Sequence, residues 1–355
     1  MLKSCGVTPL RRGWLVALLV AAQLALLGAM AGKREYIRAY GTELYLRTAP
    51  LDPRDPFRGD FVRLDYALST VHPRQTRGQV AAHREQRDYP VFARLAPGPG
   101  GIYALDYLTD ARPDGGPFLK GRIQSSWDSW RGAGIKVRYG IEQYYVQQGE
   151  GRRIEQQRGG RDQVQVPMEV RIALGADGTA VLKDFRWSAL GIQLELLRFN
   201  RRGPDGRALA PAQPLSPRVR LSLHNVADRP LRLADPAAPC AVRLEPVSWA
   251  AQRYRPADER CDAQPPPAAG LTLAPGASHS LELELGAPPW RVFEGDGATP
   301  REIGALDNPA QFRLVYRSLD PTDAGESAGS GVAAATNPWH GELPSRAFTA
   351  FGQVD

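Results

Sequence analysis

Val164-Gln165-Val166-Pro167-Met168-Glu169-Val170-Arg171-Ile172-Ala173-Leu174 runs into Gly175-Ala176-Asp177-Gly178 and then into Thr179-Ala180-Val181-Leu182-Lys183-Asp184-Phe185-Arg186-Trp187. Much of this stretch alternates apolar with polar residues, the period of a strand that buries one face. The Asp-Gly step between the arms suits a tight reversal, because Gly takes a positive φ without steric cost. An antiparallel hairpin is expected over residues 164–187. Period-two segments recur upstream, at Leu44 to Arg47 and over residues 61–68, 90–95, 102–107, 118–123 and 135–146. Within 61–68, Val62, Leu64, Tyr66 and Leu68 share one face and are expected in the core. Phe61, Arg63 and Asp65 share the other. Residues 149–157 suit a short helix. Gly and Pro together make up 67 of the 355 residues, an excess that fits many turns between short strands and excludes a helical bundle, a collagen or a polytopic membrane protein.

Downstream of Gly191 come further short segments: 192–199, 219–223, 241–244, 271–273, 278–285, 312–316 and 346–351. Short strands with regular turns over such a length read as an immunoglobulin-like β-sandwich. Residues 320–336 are rich in Gly, Ala and Ser and are expected to be a flexible loop.

The N-terminus speaks to location. Lys3, Arg11 and Arg12 precede an apolar run over residues 14–31, from Trp14 to Ala31, whose one strongly polar residue is Gln23. Eighteen helical residues span about 27 Å, close to the ~30 Å hydrocarbon core of a bilayer. Ala29-Met30-Ala31 suits a signal-peptide cleavage site. Lys33, Arg34 and Arg38 directly after it suit an uncleaved signal anchor, which is the reading adopted, with the basic tail in the cytoplasm. The expected organisation is a tail and anchor helix over 1–32, an antiparallel β domain over 33–190 and the sandwich over 191–355. The fold class is mainly β with one transmembrane helix.

Charge and cysteine content narrow the partners. The net charge is +7, with 40 Arg and 5 Lys. Arg54, Asp55, Arg58, Asp60, Arg63 and Asp65 interleave both signs, which gives a salt-bridged surface instead of the patch or arm of a nucleic-acid binder. Of Cys5, Cys240 and Cys261, none forms a C-x-x-C pair. Cys240 and Cys261 share a Pro-rich stretch and are expected to bridge in an oxidising compartment.

Gly59-Asp60-Phe61-Val62-Arg63-Leu64-Asp65-Tyr66 resembles the signature of the GDYXXLXY family of membrane-anchored bacterial proteins, with Phe61 where the signature has its first Tyr. Pro50-Leu51-Asp52-Pro53-Arg54-Asp55 is similar to the family's lead-in. Tyr139-Gly140-Ile141-Glu142-Gln143-Tyr144-Tyr145-Val146, followed by Gly149-Glu150-Gly151, resembles its Tyr-Gly-Ile-Glu block. The resemblance covers about residues 33–190. It implies membrane anchoring and a multi-span membrane protein as partner, and it carries over no reaction.

The candidate site is the motif itself: Arg58, Gly59, Asp60, Arg63, Leu64 and Tyr66. Its polar half, Arg58, Asp60 and Arg63, is the expected docking surface, because packing explains the apolar half. Asp52, Asp55, Asp60 and Asp65 lie close in sequence and suggest a hard metal ion, but EF-hand spacing is missing and Arg47, Arg54, Arg58 and Arg63 compete for the carboxylates. Loop aspartates also cap turns. A Ser–Lys hydrolase would need a desolvated base, and Lys120, Lys136 and Lys183 have no matching serine block. The expectation is a binding or scaffolding protein of the inner membrane with its domains in the periplasm, and with no catalytic residue, cofactor, metal or nucleic acid. The alternative is a metal-assisted or Ser–Lys-like hydrolase using the Asp60 loop.

Overall fold

The computed structural model describes residues 9–49, 61–72, 75–98, 101–124, 134–147, 150–159, 163–200, 215–247, 249–258, 261, 270–295, 297, 299–306, 308–318 and 337–353. The aspartates of the 50–60 loop and the 320–336 loop lie outside these residues.

Helix α1 (Pro9–Tyr40) contains the apolar run. Within it Gly13–Tyr40 is long and apolar enough to cross a membrane, and its most apolar window has a mean hydropathy of 2.2 with none of it buried in the protein. The helix outlasts the apolar run and the 1–32 segment assigned to the anchor, since α1 runs on to Tyr40. Lys33, Arg34 and Glu35 are good helix formers, and packing holds the extension in place. Lys33 Nζ lies 2.7 Å from Asp177 Oδ2, and Ile37 is buried. Lys33 holds the Asp177 carboxyl down at about 2. Gly41 then turns the chain, its N–H donating to Ile37 O at 2.7 Å. A Cβ on Gly41 would stand 2.5 Å from that same oxygen and 3.0 Å from the Leu174 backbone, so the turn requires glycine.

The chain continues as β1 (Thr42–Ala49), β2 (Phe61–Arg63), β3 (Asp65–Tyr66), β4 (Thr70–Val71), β5 (Pro90–Pro97), β6 (Ile102–Thr109), β7 (Phe118–Ile123), β8 (Ile135–Arg138), β9 (Gln143–Tyr145), helix α2 (Glu150–Arg158), β10 (Met168–Leu174) and β11 (Ala180–Trp187). A nine-stranded sheet has the order β11-β10-β1-β6-β5-β7-β8-β4, with β3 also paired to β1, while β2 and β9 pair apart from it. The β1–β6 contact is parallel and the other pairings are antiparallel. The hairpin β10–β11 forms around the 175–178 turn, and Gly178 has φ +80°. One core gathers Leu44, Leu46, Val62, Leu64, Tyr66, Val91, Leu95, Val170 and Ile172.

Two expected strands are corrected. Residues 61–68 do not form one strand. The segment passes through β2, β3 and a 3-10 turn (Ala67–Ser69), changing partner from β9 to β1. Val62, Leu64, Tyr66 and Leu68 are nonetheless all buried. Residues 135–146 split into β8 and β9 because Gly140, at φ +82°, breaks the extended backbone.

Downstream lie β12 (Leu190–Arg198), β13 (Arg218–Asn225), β14 (Leu231–Leu233), β15 (Val242–Val247), helix α3 (Ala250–Arg253), β16 (Tyr254–Pro256), β17 (Leu271–Leu273), β18 (Ser278–Glu284), β19 (Val292–Glu294), β20 (Gln311–Ser318), β21 (Asn337–Pro338), β22 (Gly341–Pro344), β23 (Phe348–Thr349) and β24 (Gly352–Gln353). Residues 346–351, expected as one strand, instead hold the short strand β23 and a turn into β24. A sheet of order β12-β13-β18 and a five-stranded sheet built on β15 and β20 feed a second core that includes Ile192, Leu221, Leu244, Phe312, Leu314 and Phe348. Two sheets around one core are compatible with the expected sandwich. The protein is thus mainly β, with one N-terminal apolar helix.

Cys240 and Cys261 form a disulfide, with Cα atoms 5.2 Å apart and a sequence separation of 21. Replacing both with Ser is expected to lower the unfolding free energy by roughly 3 kcal/mol, because the denatured chain regains the entropy of a ~20-residue loop. Denaturant titration of the full chain in detergent checks this, and an unchanged midpoint contradicts it.

Candidate functional site

The two motif blocks meet in space. β2 and β9 pair antiparallel, with Val62 opposite Tyr144 and Arg63 opposite Gln143. The ladder continues where Leu64 N–H donates to Glu142 O at 2.8 Å. Beyond this point the blocks exchange side-chain bonds. The Tyr66 phenol donates to Ile141 O at 2.8 Å, and the Tyr139 phenol donates to Leu68 O at 2.9 Å. Each tyrosine of one block therefore satisfies a backbone carbonyl next to the other. The Glu142 carboxylate accepts from Gly140 N–H at 3.0 Å and so holds the turn between β8 and β9. Asp65 pairs with Lys136 at 3.3 Å. Tyr144 packs edge-on to Phe185 at 5.5 Å, and Phe185 edge-on to Trp187 at 5.6 Å, which ties β9 to β11.

Burial first, then the nearby Glu142 charge, pushes both the Tyr66 and the Tyr139 phenol far above the usual range. Both stay protonated at neutral pH and act as hydrogen-bond donors. They position backbone and are not disposed to accept a proton.

Of the six motif residues named from sequence, Leu64 and Tyr66 are 2% and 1% exposed and belong to the first core. Arg63 is exposed. Arg58, Gly59 and Asp60 lie outside the described residues. The second block contributes Gln143 and Tyr145 to the exposed face beside Arg63, and the Tyr145 hydroxyl donates to Gln143 Oε1 at 3.0 Å.

A second polar cluster was not anticipated. Glu169 faces Arg47 on one neighbouring strand and Arg186 on the other. Its carboxylate accepts from Arg47 Nη2 at 2.9 Å and from Arg186 Nε at 2.7 Å. Arg47 also donates to Glu342 O and lies over the Trp339 ring at 5.7 Å, so it joins the first β region to the second. Trp339 Nε1 donates to Ser188 Oγ at 3.4 Å, and Gln165 and Ile192 exchange backbone bonds of 2.8 and 2.9 Å. The signal for this cluster is the cross-strand register, which a single sequence does not carry.

A mainly β chain behind one exposed N-terminal apolar helix fits a membrane-anchored protein or one with a signal sequence. The family model described as GDYXXLXY protein matches residues 23–185, so this part of the chain is a GDYXXLXY domain. No curated protein and no solved structure matches the chain.

Proposed function

We propose that the chain is a single-pass inner-membrane protein that holds two β domains, 33–190 and 191–355, on the periplasmic side, where it binds or scaffolds a multi-span membrane protein. The observation that carries this reading is the continuity of α1 with β1: Gly41 alone separates them, and the end of the helix is fastened by Lys33 to Asp177. A tether without a linker suits a protein that works at the membrane surface. The Cys240–Cys261 bridge supports an oxidising compartment for the second domain. The basic residues Lys3, Arg11 and Arg12 suit a cytoplasmic tail.

The docking surface is the polar half of the motif, Arg58, Asp60 and Arg63, of which Arg63 is exposed. Arg and exposed aromatic residues are the side chains that most often anchor protein interfaces, and Tyr145 stands beside Arg63 on the same ribbon. Crosslinking in the membrane followed by detergent extraction and pull-down tests this. The full chain is expected to recover a multi-span membrane protein, and Arg63→Glu to lose most of it while keeping its melting midpoint. Recovery unaffected by Arg63→Glu sets the docking surface elsewhere.

A further inference from the structure

The hairpin β10–β11 descends alongside α1. Leu174 is opposite Thr42 in the β1–β10 ladder. One residue on, Gly175 lies so near Ile37 that an added Cβ would stand 3.0 Å from Ile37 Cδ1. Two residues further, Asp177 reaches Lys33 at 2.7 Å. As the hairpin advances from residue 174 to 177, its partners step back from Thr42 in β1 to Ile37 and Lys33 in α1, toward the apolar run. That run ends at Ala31. The rise from Lys33 to Ile37 is about 6 Å, and the headgroup layer on each side of the hydrocarbon is about 5–8 Å thick.

We infer that the 175–178 turn, with the last turns of α1 and the Arg112 side chain that the turn holds, lies in the phospholipid headgroup layer, so that the first β region rests on the bilayer and does not stand off it. The inference rests on α1 spanning the membrane.

The side chains at this level fit lipid phosphates and the interface. Arg34 and Arg38 are exposed and lie one helical turn apart on one flank of the docked face. On the other flank Tyr36 and Tyr40 are 66% and 77% exposed, with ring centroids 5.1 Å apart. Aromatic rings exposed just beyond an apolar span mark the interfacial belt of membrane proteins. Arg112, also exposed, donates from Nη2 to Ala176 O at 2.9 Å at the tip of the turn. The acidic groups nearby are engaged: Asp177 by Lys33, and Glu35 by Arg38 at 3.9 Å. Arg34 and Arg112 are thus the cations offered to headgroup phosphates.

The test places a small fluorophore on single cysteines in the full chain with Cys5→Ser, reconstituted in vesicles of phosphatidylcholine and phosphatidylglycerol. Ala176→Cys sits at the exposed tip of the turn, Asp228→Cys on an exposed turn of the second region, and Gly28→Cys within the span. Lipid carrying a nitroxide on its headgroup is expected to remove roughly half the emission of the label at 176, since label and quencher share a layer about 5–8 Å thick, and to leave the label at 228 bright. A label at 176 as bright as that at 228, while the label at 28 is quenched by tail-nitroxide lipid, overturns the inference and leaves the span intact. A label at 28 unaffected by tail-nitroxide lipid overturns the spanning reading and the inference with it.

Discussion

Glu169→Ala is expected to lower the unfolding free energy of the full chain in detergent by roughly 3–5 kcal/mol, the range seen when one partner of a buried ion pair is removed. The Glu169 side chain is 6% exposed and that of Arg47 is 12% exposed. Removing the carboxylate leaves the Arg47 guanidinium in a site that water hardly reaches, with the Glu342 carbonyl and the Trp339 ring as its remaining neighbours. Arg186 also loses its acceptor, but it is half exposed and water replaces the bond. The loss falls at the junction of the two β regions, so they are also expected to unfold less cooperatively. Glu284→Ala is the control. Glu284 pairs with Arg198 and Arg218 in the same two-arginine arrangement, but on the open face of the β12-β13-β18 sheet, and its removal is expected to leave the midpoint where it is. Chemical denaturation of both variants decides the matter. A Glu169→Ala midpoint equal to that of Glu284→Ala contradicts the assignment of Glu169 as the buried link.

Tyr66→Ala is expected to cost about 3–5 kcal/mol, the usual loss for deleting a large ring from a packed core. Tyr66→Phe isolates the hydrogen bond. It keeps the ring and leaves Ile141 O without its phenol donor, at an expected cost of about 1–2 kcal/mol. The motif tyrosine is conformational machinery on this reading: it fastens the first block to the second. Thermal melts of both variants, alongside partner recovery, separate this from a recognition role. Tyr66→Phe that melts like the unaltered chain yet no longer recovers the partner would falsify the structural role of the phenol.

Parts of this architecture are legible in a single sequence because short-range chemistry encodes them. The hairpin of residues 164–187 is one. Alternation sets its faces, and the Asp-Gly step sets its turn. The apolar run of α1 is another, since length and the lack of charge suffice. Legibility fails where distant partners decide. Val62, Leu64, Tyr66 and Leu68 read as one face of one strand, and all four are buried. Yet the segment serves two partner strands and bends into a 3-10 turn, which no local pattern announces. Ile135 to Val146 reads as one strand until Gly140 is seen at positive φ. The extension of α1 to Tyr40 depends on Ile37 and Lys33 meeting a hairpin more than a hundred residues away. Glu169 gave no sign of burial, because its strand points it away from the first core. There it pairs with Arg47, which in turn reaches the second β region.

Trypsin digestion of intact spheroplasts, with the membrane pellet and the supernatant probed separately, tests the anchored periplasmic arrangement most directly. Before digestion the full-length chain, with its N-terminal basic tail uncleaved, is expected entirely in the pellet. After digestion the β regions are expected to be lost from the outside, leaving a membrane-embedded N-terminal fragment that contains α1. A chain already in the supernatant with Gly32 as its first residue, or a chain protected in spheroplasts and digested only in inside-out vesicles, contradicts the arrangement.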